Sequence, residues 1–538
     1  MNFGELLAVA GSRDGPQVRI DSRLVKAGDI FVAIPGSTQD GGDFIGDAVA
    51  HGAKYIVCQK DRRREAGDRR QQKCEIILVE DSSEAAAFLA QAEADNPASR
   101  LINLAVTGTN GKTTVTYLVR SCIRAGGKKC GLIGTIVYDT GLTCSPAPLT
   151  TPDCLSLADA QREMVEDGAA YMVIEASSHA LYQDRLAGIK FKAAAFTNLT
   201  GDHLDFHKTK EAYLAAKTKL FADLSADAVA VLNRQSPEAH QMARQTKAKI
   251  LWYAIDEQAD ITARIKSEDV TGTVFSLEYV GLTHMVTSPL LGRYNVANCL
   301  AAAGLCLAAG LDIETIAAGL SALQGVPGRL EKVGYSEVRD RGSGVRNRIA
   351  SDERRATSHV LVDYAHTDDA LKNVLSTLKP LCRGRLIVVF GCGGDRDRTK
   401  RPRMAKVAEQ FADIVIVTSD NPRTENPEDI INEIVAGFEA GHPTGDGGLR
   451  DTKYEIRNTK TIEPDRKKAI QLAIEMARNG DIVLIAGKGH ETYQIIGTKK
   501  FDFSDREVAE QLLRAKMPVM TLEPPGKQQP TEAHQSMR

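Results

Sequence analysis

Residues 106–114, V-T-G-T-N-G-K-T-T, constrain the fold more than any other part of the chain. The apolar run INLAVTG predicts a buried strand before the turn, and TVTYLVRSCIRAGG predicts an amphipathic helix after it. Glycine is needed where such a turn brings backbone N–H groups close to an anion, and Gly108 and Gly111 supply it. Lys112 adds a positive charge, and Thr113 adds a hydroxyl suited to Mg²⁺. The segment therefore predicts ATP binding by the loop residues Gly108, Thr109, Asn110, Gly111, Lys112, Thr113 and Thr114.

The spacing of this loop departs from the common GxxxxGK[ST] phosphate loop, because only two residues separate Gly108 from Gly111. A Gly-rich turn without a ligand is the alternative interpretation. The strand and helix on either side of the turn favour the phosphate loop.

Two side chains at predicted strand ends suggest further magnesium ligands. Glu175 follows the apolar run YMVI, and His203 follows the run AAAFTNL in T-G-D-H-L-D. Parallel sheets place their ligand sites at the carboxyl ends of the strands. We therefore expect Glu175 and His203 to bind the metal directly or through water. A capping or surface side chain is the alternative for each.

Short apolar runs alternate with helical patterns along the chain, which predicts an α/β fold with mostly parallel sheets. The length of 538 residues suggests about three domains. ADNPASR (94–100) predicts a linker and GVPGRLE a hinge, so we expect domains at 1–98, 99–327 and 328–519. We expect surface insertions at 337–358 and 440–457 and a disordered tail at 520–538.

Charge and cysteine content exclude several classes of protein. The 68 basic and 70 acidic residues give a net charge of −2, so we expect no wholesale binding to nucleic acid or to a membrane surface. Ten cysteines without a CxxC pair predict free thiols in a reducing compartment. The N-terminus lacks a signal-peptide pattern and no run reaches ~18 apolar residues, so we expect a soluble, cytoplasmic protein. A monomer is the default expectation.

A set of motifs spread over nearly the whole chain resembles the Mur ligases. In order they are TGTNGKTT, EASSHAL, TNLTGDHLDFH, GRYNVANCLAA, GRLE, VDYAHTDDAL, FGCGGDRDRTKRP and AGKGHETYQ. The resemblance implies a small N-terminal α/β domain for UDP-sugar recognition, a central P-loop ATPase and a C-terminal Rossmann-like domain. It implies that ATP phosphorylates a substrate carboxylate and that an amine then displaces the phosphate to form an amide. Further nucleotide contacts implied by it are Asn295, Asn298, Arg329, Asp363 and His366.

Lys217, in E-A-Y-L-A-A-K-T-K-L-F, matches the lysine that most Mur ligases carbamylate. A carbamylated lysine is an anion able to hold a second magnesium ion. A solvated lysine on an amphipathic helix is the alternative interpretation. The resemblance thus implies two Mg²⁺ ions and gives Lys112, Glu175, His203 and Lys217 catalytic roles.

Other positions match family contacts to the substrates. The segment I-D-S-R-L-V-K-A-G-D-I-F-V-A-I-P-G is similar to the UDP-binding segment of members that add the third residue of the peptidoglycan peptide. The resemblance implies UDP contacts at Ile20, Ser22, Ser37, Thr38 and Gln39, and contacts to the muramoyl-dipeptide at Thr150, Thr151, Ser177, Gln183 and Arg185.

The sequence S-D-N-P-R at 419–423 resembles the signature of members that add meso-diaminopimelate to the D-Glu γ-carboxylate of UDP-MurNAc-L-Ala-D-Glu. The far end of that amino acid is a second zwitterion, which requires a guanidinium for its carboxylate and an acceptor for its ammonium. Arg396 and Arg423 suit the first task and Glu491 the second. The expected amino-acid site consists of Arg396, Asp420, Asn421, Pro422, Arg423, Gly487 and Glu491.

Three alternatives remain open at this point. A related ligase would add L-lysine, and it would be favoured if the DNPR segment lay far from the ligand. A folylpolyglutamate synthase would share the central domain but lack the UDP-binding segment. A nucleotide-binding switch or scaffold would give no reason for Lys217 to accompany the loop.

Overall fold

The computed structural model describes residues 1–36, 39–60, 74–200, 204–334, 358–438 and 459–516, with the side chains of 204 and 205 left out. Ser37, Thr38, His203, the insertion at 440–457, nearly all of 337–358 and the tail at 520–538 lie outside the described residues. Within the described part, no helix is both long and apolar enough to span a membrane.

The first module is a small parallel sheet covered by helices. Its four strands are hydrogen-bonded in chain order, and Leu6 of the first helix packs against them in the core. The strands are β1 Val18–Arg19, β2 Ile30–Val32, β3 Tyr55–Gln59 and β4 Glu75–Val79, and the helices are α1 Phe3–Ala10, α2 Ile45–Ala50 and α3 Ser82–Glu93.

The predicted linker at 94–100 is an ordered connection rather than a loose one. It contains a 3₁₀ turn, Pro97–Arg100, in which Pro97 and Ala98 are buried. Asn103 donates to the carbonyl of Ala98 at 2.8 Å, and this bond ties the turn to the first strand of the next sheet.

The second module has the largest sheet, with eleven strands. These are β5 Ile102–Thr107, β6 Cys130–Ile133, β7 Val137–Asp139, β8 Cys144–Pro146, β9 Tyr171–Glu175, β10 Phe191–Phe196, β11 Val229–Asn233, β12 Lys249–Ile255, β13 Ile261–Asp269, β14 Gly272–Tyr279 and β15 Leu282–Ser288. The helices are α4 Lys112–Ala125, α5 Cys154–Glu166, α6 Ser178–Tyr182, α7 Leu204–His207, α8 Lys210–Ala222, α9 Pro237–Gln245, α10 Arg293–Ala308 and α11 Ile313–Ala322.

The order of the central strands decides where this module can bind a ligand. The sheet runs β15-β14-β13-β12-β11-β10-β5-β9-β6-β7-β8. Strand β5 is parallel to both of its neighbours, β10 and β9. The turns after these three strands therefore meet at one edge of the sheet, the place where parallel sheets bind ligands. Antiparallel strands extend the sheet at both ends.

The third module is a second doubly wound sheet, as the sequence predicts. Its strands are β16 Glu331–Val333, β17 His359–Asp363, β18 Leu386–Phe390, β19 Ile414–Val417, β20 Thr459–Ile462 and β21 Ile482–Ala486, followed by a hairpin of β22 Tyr493–Ile496 and β23 Lys499–Asp502. Its helices are α12 Asp368–Leu381, α13 Lys400–Phe411, α14 Pro427–Val435, α15 Arg466–Met476 and α16 Asp505–Ala515. The sheet order β16-β17-β21-β18-β19-β20 brings the turns after β21, β18 and β19 together.

Candidate active site

The phosphate loop lies between β5 and α4 and is held in shape by two glycines. Gly108 has φ +145° and Gly111 has φ +90°, a conformation that favours glycine. A Cβ atom on Gly108 would lie 1.9 Å from the hydroxyl of Thr197, and one on Gly111 would lie 2.3 Å from Asn298 Oδ1. The short spacing of these glycines thus fits a turn packed against the end of β10 and against α10.

Two lysines converge on the first carbonyl of this loop. Lys112 Nζ donates to the carbonyls of Gly108 and Thr109, each at 2.9 Å. Lys217 Nζ, on α8, donates to the same Gly108 carbonyl at 2.9 Å and lies 4.4 Å from the centre of the Tyr213 ring. Lys217 is only 1% exposed, so the solvated-lysine interpretation is wrong.

Glu175 ends β9 beside the loop and is not a surface residue, since it is 1% exposed. Its carboxylate accepts from the backbone N–H of Thr135 at 2.8 Å and from the Thr135 hydroxyl at 2.9 Å. The Thr135 hydroxyl also contacts Thr150 at 3.1 Å. Sequence reasoning missed Thr135, because nothing local marks a threonine 40 residues upstream as the partner of Glu175.

The loop and Glu175 line a cleft of about 690 Å³. The opposite wall comes from the third module, so the cleft lies between two separately folded sheets. Arg329 Nη2 donates to the Thr113 hydroxyl at 3.2 Å, and Asn110 donates to Asp369 Oδ2 at 3.3 Å. Of the residues expected at the nucleotide and metal, the cleft is lined by Thr109, Asn110, Gly111, Lys112, Thr113, Thr114, Glu175, Asn295, Asn298, Arg329, Asp363 and His366.

The donor set in this cleft fits magnesium. The Thr113 hydroxyl and the Glu175 carboxylate are both oxygen donors, and Mg²⁺ takes oxygen ligands while keeping several waters. Within the described ranges no group of three or more His, Cys, Asp or Glu side chains is placed to hold a metal. A site completed by water and phosphate oxygens agrees with that finding.

The side chains of Asn295, Asn298 and Asp363 are held in place by hydrogen bonds within the protein. Asn298 donates to Asn295 Oδ1 at 3.0 Å. Asp363, which ends β17, accepts from the backbone N–H of Leu330 at 2.7 Å and of Ala365 at 2.8 Å. Burial raises the pKa of Asp363, and the nearby Arg329 opposes that rise. The carboxylate of Asp363 therefore shapes the turn that presents Arg329 to the loop.

The cleft also contains polar side chains that the sequence did not single out. Asn198 Oδ1 accepts from the backbone N–H of Asn110 at 3.0 Å. Asp369, at the start of α12, has a raised pKa because it is buried. The TNL and DDAL motifs contain these residues, but the motifs alone do not say which side chains turn towards the loop.

Four of the residues expected at the muramoyl-dipeptide form one network beside Glu175. The Thr151 hydroxyl donates to the Glu175 carbonyl at 2.6 Å and lies 3.0 Å from the Ser177 hydroxyl. Arg185 donates to the Thr151 carbonyl at 2.8 Å and to Gln183 Oε1 at 2.6 Å. Burial lowers the pKa of Arg185, which still leaves the guanidinium charged.

The residues expected at UDP lie in the first module. Ile20 is partly buried against the first core, Ser22 is buried, and Gln39 is exposed. The Ser22 carbonyl contacts His51 Nδ1 at 2.9 Å, which fixes the turn after β1.

The residues expected at the amino acid surround the turns after β19 and β21. Glu491 Oε2 accepts from Asn421 Nδ2 at 2.9 Å and from Lys488 Nζ at 3.0 Å. A Cβ atom on Gly487, which has φ +117°, would lie 2.6 Å from Asp420 Oδ2, so glycine leaves room for Asp420 at this turn. Lys488 was not singled out from the sequence, although it follows a buried strand and lies between two glycines in AGKGHE.

Arg423 and Arg396 lie on two turns that are tied together. Arg423 has φ +51°, its backbone pairs with Ile495, and its Nη1 donates to the Gly394 carbonyl at 2.7 Å. Arg396 is exposed on the turn that contains Gly394. The two guanidiniums thus belong to one edge of the third sheet.

A buried arginine, Arg401 on α13, fixes both turns. It is 0% exposed and forms ion pairs at 2.8 Å with Glu425 and with Glu433. Glu425 in turn accepts from the backbone N–H of Asp395 at 2.6 Å. Hydrogen bonding to Arg401 lowers the pKa of Glu425 to about 2. The basic motif RTKRP therefore includes a structural cation, Arg401, as well as the exposed Arg398.

Comparisons with known proteins identify the family. The chain matches the models of a Mur ligase family catalytic domain at residues 17–94, a Mur ligase middle domain at 106–306 and a Mur ligase glutamate ligase domain at 348–489. A protein of Gloeobacter violaceus named UDP-N-acetylmuramoyl-L-alanyl-D-glutamate--2,6-diaminopimelate ligase is 43% identical over 95% of this chain and 98% of its own. A protein of the same name from Geobacillus kaustophilus is 42% identical over 93% and 95%.

Solved structures agree with this assignment. A structure of a UDP-N-acetylmuramoyl-L-alanyl-D-glutamate--2,6-diaminopimelate ligase has a TM-score of 0.63 and 33% identity, over 96% of this chain and 99% of its own. A Thermotoga maritima MurF ligase in complex with ADP has a TM-score of 0.56 at 19% identity over 95% and 100%, and it supports the fold alone. The chain belongs to the Mur ligase family.

Proposed function

We propose that the chain joins meso-diaminopimelate to the D-Glu γ-carboxylate of UDP-N-acetylmuramoyl-L-Ala-D-Glu, with hydrolysis of ATP to ADP and phosphate. The observation that carries the proposal is the 43% identity over 95% of the chain to a relative named for this reaction. The geometry agrees with it, because one cleft suits a nucleotide and a neighbouring edge of the third sheet offers guanidinium and carboxylate groups. The product would be a precursor of peptidoglycan.

The cleft supplies what an acyl-phosphate mechanism requires. An oxygen of the substrate carboxylate attacks the γ-phosphorus of ATP, ADP leaves, and an acyl phosphate remains. The amine of the incoming amino acid attacks the carbonyl carbon and loses a proton, and inorganic phosphate leaves with the electrons of its bond to carbon. Two anions must approach each other in the first step, so concentrated positive charge is needed.

Lys112 and Arg329 supply part of that charge from the protein. Lys112 begins α4 at the loop, where backbone N–H groups also face the phosphates, and Arg329 reaches Thr113 from the other wall. Magnesium, when bound, neutralises phosphate charge, and Thr113 and Glu175 are the described residues that would hold it. His203 stays a predicted ligand.

We assign Lys217 as a carbamylated lysine that would hold a second magnesium ion. A neutral lysine amine adds to the carbon of CO₂ and releases one proton, which leaves a carbamate. Lys217 is 1% exposed and its Nζ is 2.9 Å from the Gly108 carbonyl, so a carbamate formed there would lie beside the phosphate loop. Intact-protein mass analysis under CO₂ would show the added group.

The same proposal covers location and partners. UDP-linked precursors and ATP are cytoplasmic small molecules, so we place the enzyme in the cytoplasm, acting as a monomer on small-molecule substrates without a nucleic-acid or membrane partner. The likeness to a Mycobacterium tuberculosis folylpolyglutamate synthase, at 17% identity and a TM-score of 0.55, extends to the fold alone. A folylpolyglutamate synthase activity would also give no function to the first module.

The test is a product assay with purified protein, ATP, Mg²⁺ and UDP-MurNAc-L-Ala-D-Glu. We expect a UDP-MurNAc-tripeptide containing diaminopimelate when diaminopimelate and L-lysine are offered together. Lys112→Ala should reduce phosphate release by about 10²–10³-fold, since it removes a charge aimed at the transferring phosphate. A lysine-containing product would refute the choice of amino acid, and the absence of any tripeptide would refute the ligase.

A further inference from the structure

Glu491, the expected acceptor for the far ammonium of diaminopimelate, already has a cation of its own. Lys488 Nζ lies 3.0 Å from Glu491 Oε2 and 3.2 Å from Asn421 Oδ1. The Lys488 side chain is 0% exposed, whereas that of Glu491 is 16% exposed. The ion pair is therefore buried on the lysine side and open to solvent on the carboxylate side.

The two oxygens of Glu491 are used differently. Both Lys488 and Asn421 donate to Oε2, and within the described residues Oε1 receives no donor. Lys488 and Asn421 thus hold the carboxylate in one orientation with one oxygen occupied. The second oxygen is available to an incoming ammonium.

The surrounding charges do not restore a negative potential at Glu491. Arg466, which is fully buried near Asp420 and Glu491, has its own partner in Asp505 through two bonds of 2.7 Å. Arg423 lies on the adjoining turn, and the charges of Glu491, Arg423 and Asp420 all act on the Tyr493 phenol. Lys488 balances Glu491 and Asp505 balances Arg466, so the Asp420 carboxylate remains against the guanidiniums of Arg423 and Arg396, and one positive charge is in excess.

We propose that Lys488 is a specificity-determining residue that neutralises and orients Glu491, so that the pocket accepts a zwitterionic far end and rejects a lone ammonium. This proposal rests on the proposed function. Diaminopimelate brings a carboxylate for the guanidiniums together with an ammonium for Oε1. L-Lysine brings only the ammonium, which meets the nearby Lys488 cation without a compensating carboxylate.

A purely structural lysine would behave differently. Losing a buried structural ion pair lowers the amount of folded enzyme, and it affects both amino acids equally. Losing the charge that balances Glu491 favours the lone ammonium, because an unpaired carboxylate attracts a cation more strongly in a partly buried site. The ratio of the two products separates the two explanations.

The experiment offers meso-diaminopimelate and L-lysine in equal concentration to one preparation and measures both tripeptide products by mass spectrometry. Both products come from the same folded molecules, so the folded fraction cancels from their ratio. Lys488→Met and Lys488→Gln remove the charge. Lys500→Met is the matched control, because Lys500 is an exposed lysine 3.6 Å from the centre of the same Tyr493 ring that Lys488 faces at 5.6 Å.

We expect the diaminopimelate-to-lysine product ratio to fall about tenfold or more in both Lys488 variants, the size of a single unbalanced charge interaction near a protein surface. Lys500→Met should keep the wild-type ratio. A ratio within twofold of wild type in the Lys488 variants, or no product of either kind from both, would overturn the proposal. Wild-type enzyme that makes no diaminopimelate product would instead overturn the proposed function.

Discussion

Asp505→Asn should destabilise the third module far more than its single-atom change suggests. Asp505 and Arg466 are both 0% exposed and share two hydrogen bonds of 2.7 Å. Asparagine keeps the shape and one oxygen acceptor but removes the charge, so the buried Arg466 cation is left with neutral acceptors, the amide oxygen and the Ala486 carbonyl at 2.9 Å. Breaking one partner of such a buried pair costs about 3–5 kcal/mol.

The next residue along α16 provides a matched control. Arg506 is half exposed and pairs with Glu510 at 3.1 Å and with Glu331 at 3.3 Å, so Arg506→Gln should cost at most about 1 kcal/mol. Urea unfolding followed by circular dichroism gives both free energies. A double variant, Arg466→Met with Asp505→Leu, should recover most of the loss, because apolar replacement of a whole buried pair is often neutral.

A difference of less than about 1 kcal/mol between the free energies of unfolding lost in Asp505→Asn and in Arg506→Gln would contradict this expectation, since burial would then not decide the cost of losing a charge partner. A double variant as unstable as Asp505→Asn alone would also contradict it. Arg466 also donates to the carbonyl of Ala486, which precedes Gly487 of the expected amino-acid site. Asp505→Asn should therefore raise the KM for diaminopimelate while the KM for ATP stays near wild type.

Three further outcomes follow from the site. Lys217→Ala should lose activity by about 10²-fold or more in a phosphate-release assay, since it removes the lysine that we propose holds magnesium as a carbamate, and short carboxylates should restore part of the activity; full activity without rescue would exclude Lys217 from the mechanism. Arg423→Ala should raise the KM for diaminopimelate about 10- to 100-fold, the cost of a lost charged hydrogen bond, with ATP unaffected; an unchanged KM would contradict the assigned contact. Burial, aided by Arg329, lowers the pKa of His490 to about 3, so its neutral form is the folded one. The stability it contributes is present above the unfolded pKa of about 6.5 and is lost as pH falls towards 3. The free energy of unfolding of the wild-type protein should therefore fall by about 2 kcal/mol, through this group, between about pH 7 and pH 5. The fall should be correspondingly smaller in His490→Gln, as measured by urea midpoints at both pH values. Equal falls in the two proteins would contradict the lowered pKa of His490.

The sequence was most informative where one local segment contains the whole pattern. The phosphate loop, its strand and its helix follow each other directly, so glycine spacing and apolar periodicity suffice to predict them. Glu175 is predicted in the same way, as a carboxylate at the end of an apolar run. Asp363 and Gly487 are expected only through the resemblance to the Mur ligases.

The rest of the site depends on partners that are distant in sequence. Asn110 and Asp369 are 259 residues apart, and Lys488 and Asn421 are 67 apart, so their contacts exist only once the sheets are formed. Arg401 is one of several cations in a polar motif, and only the packing of α13 beside Glu425 and Glu433 buries it completely. Charge patterns predict that a residue is polar, whereas burial depends on the tertiary fold.

The contacts between the second and third modules differ in what it costs to separate them. The Asn110–Asp369 and Arg329–Thr113 hydrogen bonds each exchange for water at roughly 0.5–1.5 kcal/mol. Leu291 of the second module is 1% exposed in the apolar core of the third, and withdrawing it forfeits roughly 1.5–3 kcal/mol of burial. A movement of the two modules that breaks only those hydrogen bonds therefore costs less than one that withdraws Leu291.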